Sequence, residues 1–302
     1  KGGGAKDKGS VWRMRFVPED TGAWSYTWTW SDRTPGGTGT FKCVAKGAGP
    51  GILRAYVKNP HWFAYNGTKP VFLRSYHMRP YAVLTQPVEW VGPNVYQKLI
   101  DAGYNHLQFG GLLPIAYVDK GYANEPSLFE DEGAPAALSK NLMPSGDPSS
   151  MRLDVWHSTE DHLNWLNDRD IMVHCFQGFD GQGSGPFRFH DMSAARQERY
   201  VRYVTARLAP LANIAAWNYT WETGGDGSEL DLMRLLDEFD PWDHLRSYED
   251  EKPQKHNFTN DLYTFAGVEN HGYPEDNYDS LSHHKAMLDG YAGKPVYMVE
   301  GN

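Results

Sequence analysis

Cysteine is scarce in this chain: Cys43 and Cys175 are the only two among 302 residues. Each lies in an apolar, strand-like stretch, so two buried free thiols are expected rather than a disulfide. Positive charge is in deficit, with 29 Lys and Arg against 38 Asp and Glu and a net charge of −9. With no basic cluster either, a nucleic-acid partner is excluded. No apolar run approaches the roughly 18 residues that a membrane span needs. The opening "KGGGAKDKGS" contains no apolar core of a leader peptide. Because "GKPVYMVEGN" also breaks off at a strand tip, the reading is of a fragment cut at both ends, from a secreted or periplasmic protein. A Gly-rich phosphate fingerprint after the first parallel strand is missing, and so is any H-x-H pair. No cofactor and no metal are therefore expected, although His77, His106 and His174 could conceivably meet from three neighbouring strands.

Aromatic residues are abundant, at 14% with 11 Trp and 18 Tyr. Most are assigned to packing, and a few are kept for a cleft in which flat rings stack on sugar faces. Residues 1–58 read as all-β: "VWRMRFVP" and "GAWSYTWTWSD" alternate, and "GTGTFKCVA" follows a turn at "TPGG". In the second run Trp24, Tyr26, Trp28 and Trp30 share one face at period two, expected to be the buried side of a partial β-sandwich.

From residue 59 the pattern changes. "HWFAYNGTKPVFLRSYH" reads as a hairpin turning at Asn66-Gly67. Seven apolar runs follow, "VFLRSY", "YNHLQFG", "IMVHCFQG", "IAAWNYTWE", "LRSYED", "LYTFAGVEN" and "PVYMVEG". Between most of them lie helical segments. Ser158 with Asp161 resembles a capping box, Gly103 and Gly290 occupy C′ positions, and Tyr200, Val204 and Leu208 fall on one helical face. Alternating strands and helices mean parallel βαβ units. The fold class is α/β, a (β/α)8 TIM barrel over residues 59–302 that lacks its C-terminal strand and helix, preceded by the partial sandwich of residues 1–58. No convincing helix separates "LRSYED" from "LYTFAGVEN".

Active sites of such barrels form where the strands end. The strand-end residues expected to line a substrate cleft are Arg74, His77, His106, Gln108, His174, Asn218, Trp221, Glu269 and His271. Glu249 and Asp250 are read as rim or salt-bridge residues. A rim this polar suits a ligand rich in hydroxyls. Glycosidic cleavage needs a carboxylic acid and a carboxylate about 5–5.5 Å apart when configuration is retained. Glu222 ends the fourth run and Glu300 the seventh, on opposite sides of an eight-stranded ring.

"AAWNYTWE" and "KPVYMVEGN" look like the acid/base and nucleophile strands of the large retaining glycoside hydrolase clan built on this barrel. Combined with "RFVPEDTGAWSYTWTWSD" and "NPHWFAYNGTKPVFLRSYH", the chain resembles bacterial apiosidase-like glycoside hydrolases with an N-terminal immunoglobulin-like domain. The resemblance implies a hydrolase of plant or algal polysaccharide with Glu300 as nucleophile and Glu222 as acid/base, kept protonated by Trp217 or Trp221. It implies that His271 bonds the nucleophile or a substrate hydroxyl. The clan places Asn directly before the acid/base, where this chain has Trp221; Asp226 is the alternative acid. A catalytically silent carbohydrate-binding protein using the same cleft is the other reading, and a metal-dependent hydrolase a weaker third.

Overall fold

The computed structural model describes residues 4–5, 8–9, 13–18, 20–45, 50–78, 86–109, 153–176, 179, 189–219, 228–250, 257–270 and 293–301. The expected loop 111–150, the helix around 281–290 with Gly290, Trp221, Glu222, Asp226 and His271 lie outside the described residues.

The N-terminal part is built from two antiparallel ribbons, short β1 (Gly4–Ala5) with β2 (Lys8–Gly9), and β3 (Gly22–Trp28) with β4 (Gly37–Cys43). Residues 13–18, expected as part of a strand, form no strand, and Trp30 lies past the end of β3. Small residues of β4 face the rings of β3: Gly39 opposes Tyr26 and Gly37 opposes Trp28. A methyl group at Gly39 would fall 2.4 Å from the Tyr26 ring, so the ring lies flat over the glycine. Trp24 stacks on its partner Phe41. This aromatic face is not sealed as the sequence suggested; Tyr26 remains 43% exposed, and Phe16, in the segment before β3, caps Trp24 edge-on. Cys43 is half-buried and only Cys175 is fully buried, both as free thiols.

A second unit is the antiparallel sheet β5 (Leu53–Tyr56), β6 (Asn59–Tyr65) and β7 (Lys69–Val71). The β6–β7 turn sits at the expected Asn66-Gly67, both with positive φ (50° and 69°), as a tight hairpin turn requires. The boundary expected between residues 58 and 59 falls where β5 turns into β6.

The remaining strands are parallel. β8 (Ser75–Met78), β9 (His106–Phe109), β10 (Met172–Cys175), β11 (Ile214–Asn218) and β12 (Leu245–Ser247) form a five-stranded sheet in that order. β13 (Glu249–Asp250), β14 (Ala266–Asn270) and β15 (Val296–Gly301) form a three-stranded one. The expected fifth run is thus split at Tyr248, which leaves the ladder and stacks on Phe258. Every residue of β9, β10 and β11 is buried; strands covered on both faces have no reason to alternate, and so read as continuous apolar runs.

Helices cover the outer face. A helical run begins with α1 (Val88–Val91), passes through a π-helical turn at Gly92–Tyr96 and ends as α2 (Gln97–Asp101). It starts six residues earlier than its sequence pattern. Gly103 closes it at φ 90°, with its N–H donating to the Ile100 carbonyl. α3 (Leu153–Asn167) also starts early, so Ser158 is interior to the helix and not its cap. α4 (Ala194–Leu208) buries Tyr200, Val204 and Leu208 as its spacing predicted, and packs on α5 (Ser228–Phe239). No helix among the described residues is long and apolar enough to cross a membrane.

Candidate active site

The first constraint on a site is which end of the parallel strands is open. Leu53, Phe63, Tyr65 and Val71 of the antiparallel sheet, with Leu73, pack against Met172, Ala215, Ala216, Leu245, Phe265 and Tyr297. Met172 and Leu245 are the first residues of their strands, and Phe265 immediately precedes β14. The three-stranded sheet therefore closes the N-terminal ends of the parallel strands with an apolar plug. That end is closed to a ligand, which leaves the C-terminal ends.

Immediately above the plug the enclosed space turns polar. Ser75, His106 and Met172 form one register row; His77, Gln108, His174, Ala216 and Leu245 form the next. The Tyr297 hydroxyl reaches into these rows from β15, donating to Ser75 Oγ (2.5 Å), with Gln108 Oε1 at 3.2 Å. Ser75 Oγ lies 2.7 Å from His106 Nδ1. The Tyr297 ring stands 5.7 Å from His106 and 5.9 Å from His174. This contact between β8, β9 and β15 brings the two parallel sheets to a common interior. Burial removes charge from it. The His106 imidazole is pushed down to about 3 by loss of water, His174 well below its ordinary value for the same reason and through its two histidine neighbours, and the Tyr297 phenol up to about 12. Two histidines and a phenol thus stand side by side uncharged at neutral pH.

The expected cleft residues divide between three levels. Arg74 lies at the wrong end: it precedes β8, its N–H donates to the Asn105 side chain at the closed base, and its guanidinium borders Gly103. The reason is that Val71 belongs to the hairpin, so the parallel strand begins only at Ser75. His106, Gln108 and His174 are gathered in the buried middle layer, at 1%, 2% and 1% exposure, and not on the rim. His77 is exposed at the open end with its ring edge-on to Phe176. Asn218 ends β11 and donates to the Phe176 carbonyl, 2.7 Å away. Among the described residues no three His, Cys, Asp or Glu groups are placed to hold a metal.

Trp217 does not flank this interior. Its indole N–H donates to Asp240 Oδ2 (2.8 Å) just after α5, on the outer face of the sheet. One extra residue in β11 between the positions opposite Val173 and His174 sets this alternation.

Carboxylate-bearing residues recur in register at the ends of β13, β14 and β15. Glu249 and Tyr297 both pair with Gly267, and Glu269 pairs with Glu300 two residues further along. Glu249, read from the sequence as a rim or salt-bridge residue, is fully buried. Glu222 follows Asn218 by four residues, past the last described position of its strand. Nothing in the residue pattern pointed to Tyr297, since a Tyr inside an apolar run reads as core.

The chain matches no established family profile, and no curated protein sequence matches it. Its fold resembles that of a Bacteroides vulgatus protein provisionally assigned as a glycoside hydrolase, at 20% identity and a TM-score of 0.67 over 94% of this chain and 54% of the other. It also resembles the β-D-glucuronidase of Dictyoglomus thermophilum, at 11% identity and a TM-score of 0.53 over 94% of this chain and 50% of the other. The chain spans about half the length of either protein. These similarities establish that the mixed α/β fold with its parallel five-stranded sheet is one that glycoside hydrolases use.

Proposed function

We propose that this protein is a retaining glycoside hydrolase, with its two parallel sheets as arcs of one (β/α)8 barrel. Glu300 is the nucleophile and Glu222 the acid/base. The observation that carries the reading is the sidedness of the strands. An apolar sheet stops one end of the enclosed space, while Glu269 and Glu300 sit at the C-terminal end of theirs and β11 runs out toward Glu222 at its own. Double displacement then has its parts: protonation of the leaving oxygen by Glu222, attack of the Glu300 carboxylate on the anomeric carbon, and hydrolysis of the glycosyl ester by water activated by Glu222. His77 would contact sugar hydroxyls, with Trp221, Glu269 and His271 completing the cleft. His106, Gln108, His174 and the buried Asn218 would support it from beneath.

The substrate class is a plant or algal polysaccharide or an oligosaccharide from one. The names of the structural relatives support glycosidic chemistry, and the apiosidase-like sequence features support a matrix glycan and an immunoglobulin-like N-terminal domain in a secreted or periplasmic protein. Trp221, where the clan has Asn, favours a second reading, a silent carbohydrate-binding barrel. Incubation with a panel of defined oligosaccharides separates the two. Reducing ends should appear and should drop by several powers of ten in Glu222→Gln and Glu300→Gln with the fold intact. Sugar binding without release by the unaltered protein would refute catalysis.

A further inference from the structure

We infer that Tyr297 is the positioning residue for the carboxylate at position 300, acting with a one-residue bulge at Val299; this rests on the reading of Glu300 as nucleophile. The pairing of β15 with β14 runs Gly267 to Tyr297 and Val268 to Met298, then jumps to Glu269 with Glu300. Val299 is the extra residue. On a regular strand, positions 297 and 300 would lie on opposite faces, because the period is two. The insertion cancels that mismatch and puts both in rows facing Gly267 and Glu269, which share a face of β14. That face is identified by Tyr297 itself, whose ring meets His106 and His174 in the enclosed interior. Bulges recur beside active sites because they re-aim a strand end in this way.

A bulge alone leaves the strand end loosely held. β15 is paired only with β14 among the described residues, so its other edge depends on side chains. The Tyr297 hydroxyl supplies such a hold, bonding Ser75 of β8 with Gln108 of β9 alongside. Position 300 is only three residues further, about 10 Å along the strand. A nucleophile misplaced by about 1 Å can cost about a hundredfold in rate. The phenol is thus placed to set where β15 delivers its carboxylate without touching substrate.

The test uses the whole chain and the oligosaccharide from which the unaltered protein releases most reducing ends. Tyr297→Phe keeps the ring and deletes the hydroxyl. Its kcat should fall about 10- to 100-fold with KM little changed, and amide exchange of residues 297–301 should speed up severalfold. Ser75→Ala should move both readouts in the same direction, and the double variant should cost less than the sum of the two single ones, since both lose the Tyr297–Ser75 bond. A lower melting temperature with full kcat and unchanged exchange in β15 would overturn the inference and leave Tyr297 a packing residue. Glu300→Gln separates the two levels. If it stays active, both the nucleophile reading and the inference fall. If it is dead while Tyr297→Phe keeps full kcat, only the positioning role fails.

Discussion

His106 gives the most quantitative test of the buried polar layer. Its imidazole is enclosed, and Nδ1 is 2.7 Å from a Ser75 hydroxyl that itself accepts from Tyr297. In that order Ser75 donates to Nδ1, so the ring is read as a neutral acceptor; protonation would place a second hydrogen between the two atoms. Its folded value is pushed down from 6.5 to about 3 by burial. The unfolded chain therefore takes up a proton between about pH 6.5 and pH 3 that the folded chain refuses, and stability must rise with pH across that window. The ceiling is about 5 kcal/mol, reached only near pH 3, from a shift of roughly 3.5 units at 1.36 kcal/mol each. At pH 5 the unfolded imidazole is about thirtyfold more protonated than neutral, which corresponds to about 2 kcal/mol of lost stability relative to pH 8. Urea unfolding of the unaltered chain and of His106→Gln, each at pH 8 and pH 5, reads this contribution, because His162 titrates alike in both proteins and burial, the main cause of the shift at His174, persists in the variant. The variant should lose about 2 kcal/mol less over the interval. Equal losses in the two proteins would mean that His106 is not held neutral by the fold.

Other parts of the structure give further expectations. Glu160 Oε1 accepts from Arg15 and from Arg207, each at 2.8 Å, tying the N-terminal segment to α3 and α4; Glu160→Gln leaves both guanidiniums without a counter-charge and should cost about 2 kcal/mol in urea unfolding. Asp240 accepts from the Trp217 indole, the His244 ring and the backbone of Trp242 and His244. Asp240→Asn replaces two acceptor oxygens with one, and should cost about 2–3 kcal/mol in the same assay. Burial alone would raise this carboxyl, but the His244 and Trp217 bonds outweigh it and hold it below its ordinary value of 3.8. The stability it adds is therefore complete above about pH 4 and is lost only in stronger acid, a loss that the Asn variant should not show.

The parallel strands were legible because burial on both faces removes the need for polar residues within them: the runs containing β9, β10 and β11 are where the sequence suggests. Ends and registers were not legible. Arg74 was assigned to the open end because "VFLRSY" reads as one strand, whereas Val71 pairs with Phe63 in the hairpin and Ser75 begins the parallel sheet. Ser158 resembles a cap, yet α3 starts at Leu153, since the local capping pattern carries no information about tertiary packing ahead of it. The extra residues in β11 and β15 leave no mark in composition. A bulge is a property of two paired strands, and only the pairing reveals that Trp217 faces outward while position 300 joins the face of Tyr297.

The stacking of layers also sets the electrostatics beneath the strand ends. Beneath them lies an apolar plug and then a layer of His106, Gln108, His174, Ser75 and Tyr297 in which burial suppresses ionisation of both histidines and of the phenol. Such a floor offers hydrogen bonds but no compensating cation. Two carboxyl groups sharing a poorly screened site cannot both ionise freely, and a general acid paired with a nucleophile needs that inequality. A cationic floor would stabilise both charged forms and lower both pKa values. Under the proposed mechanism the uncharged layer would leave the acid with the raised pKa that it needs. Introducing a permanent positive charge there, by Gln108→Lys, should shift the acidic and basic limbs of the kcat/KM pH profile downward together; limbs that stay in place would show that the layer has no electrostatic part in the reaction.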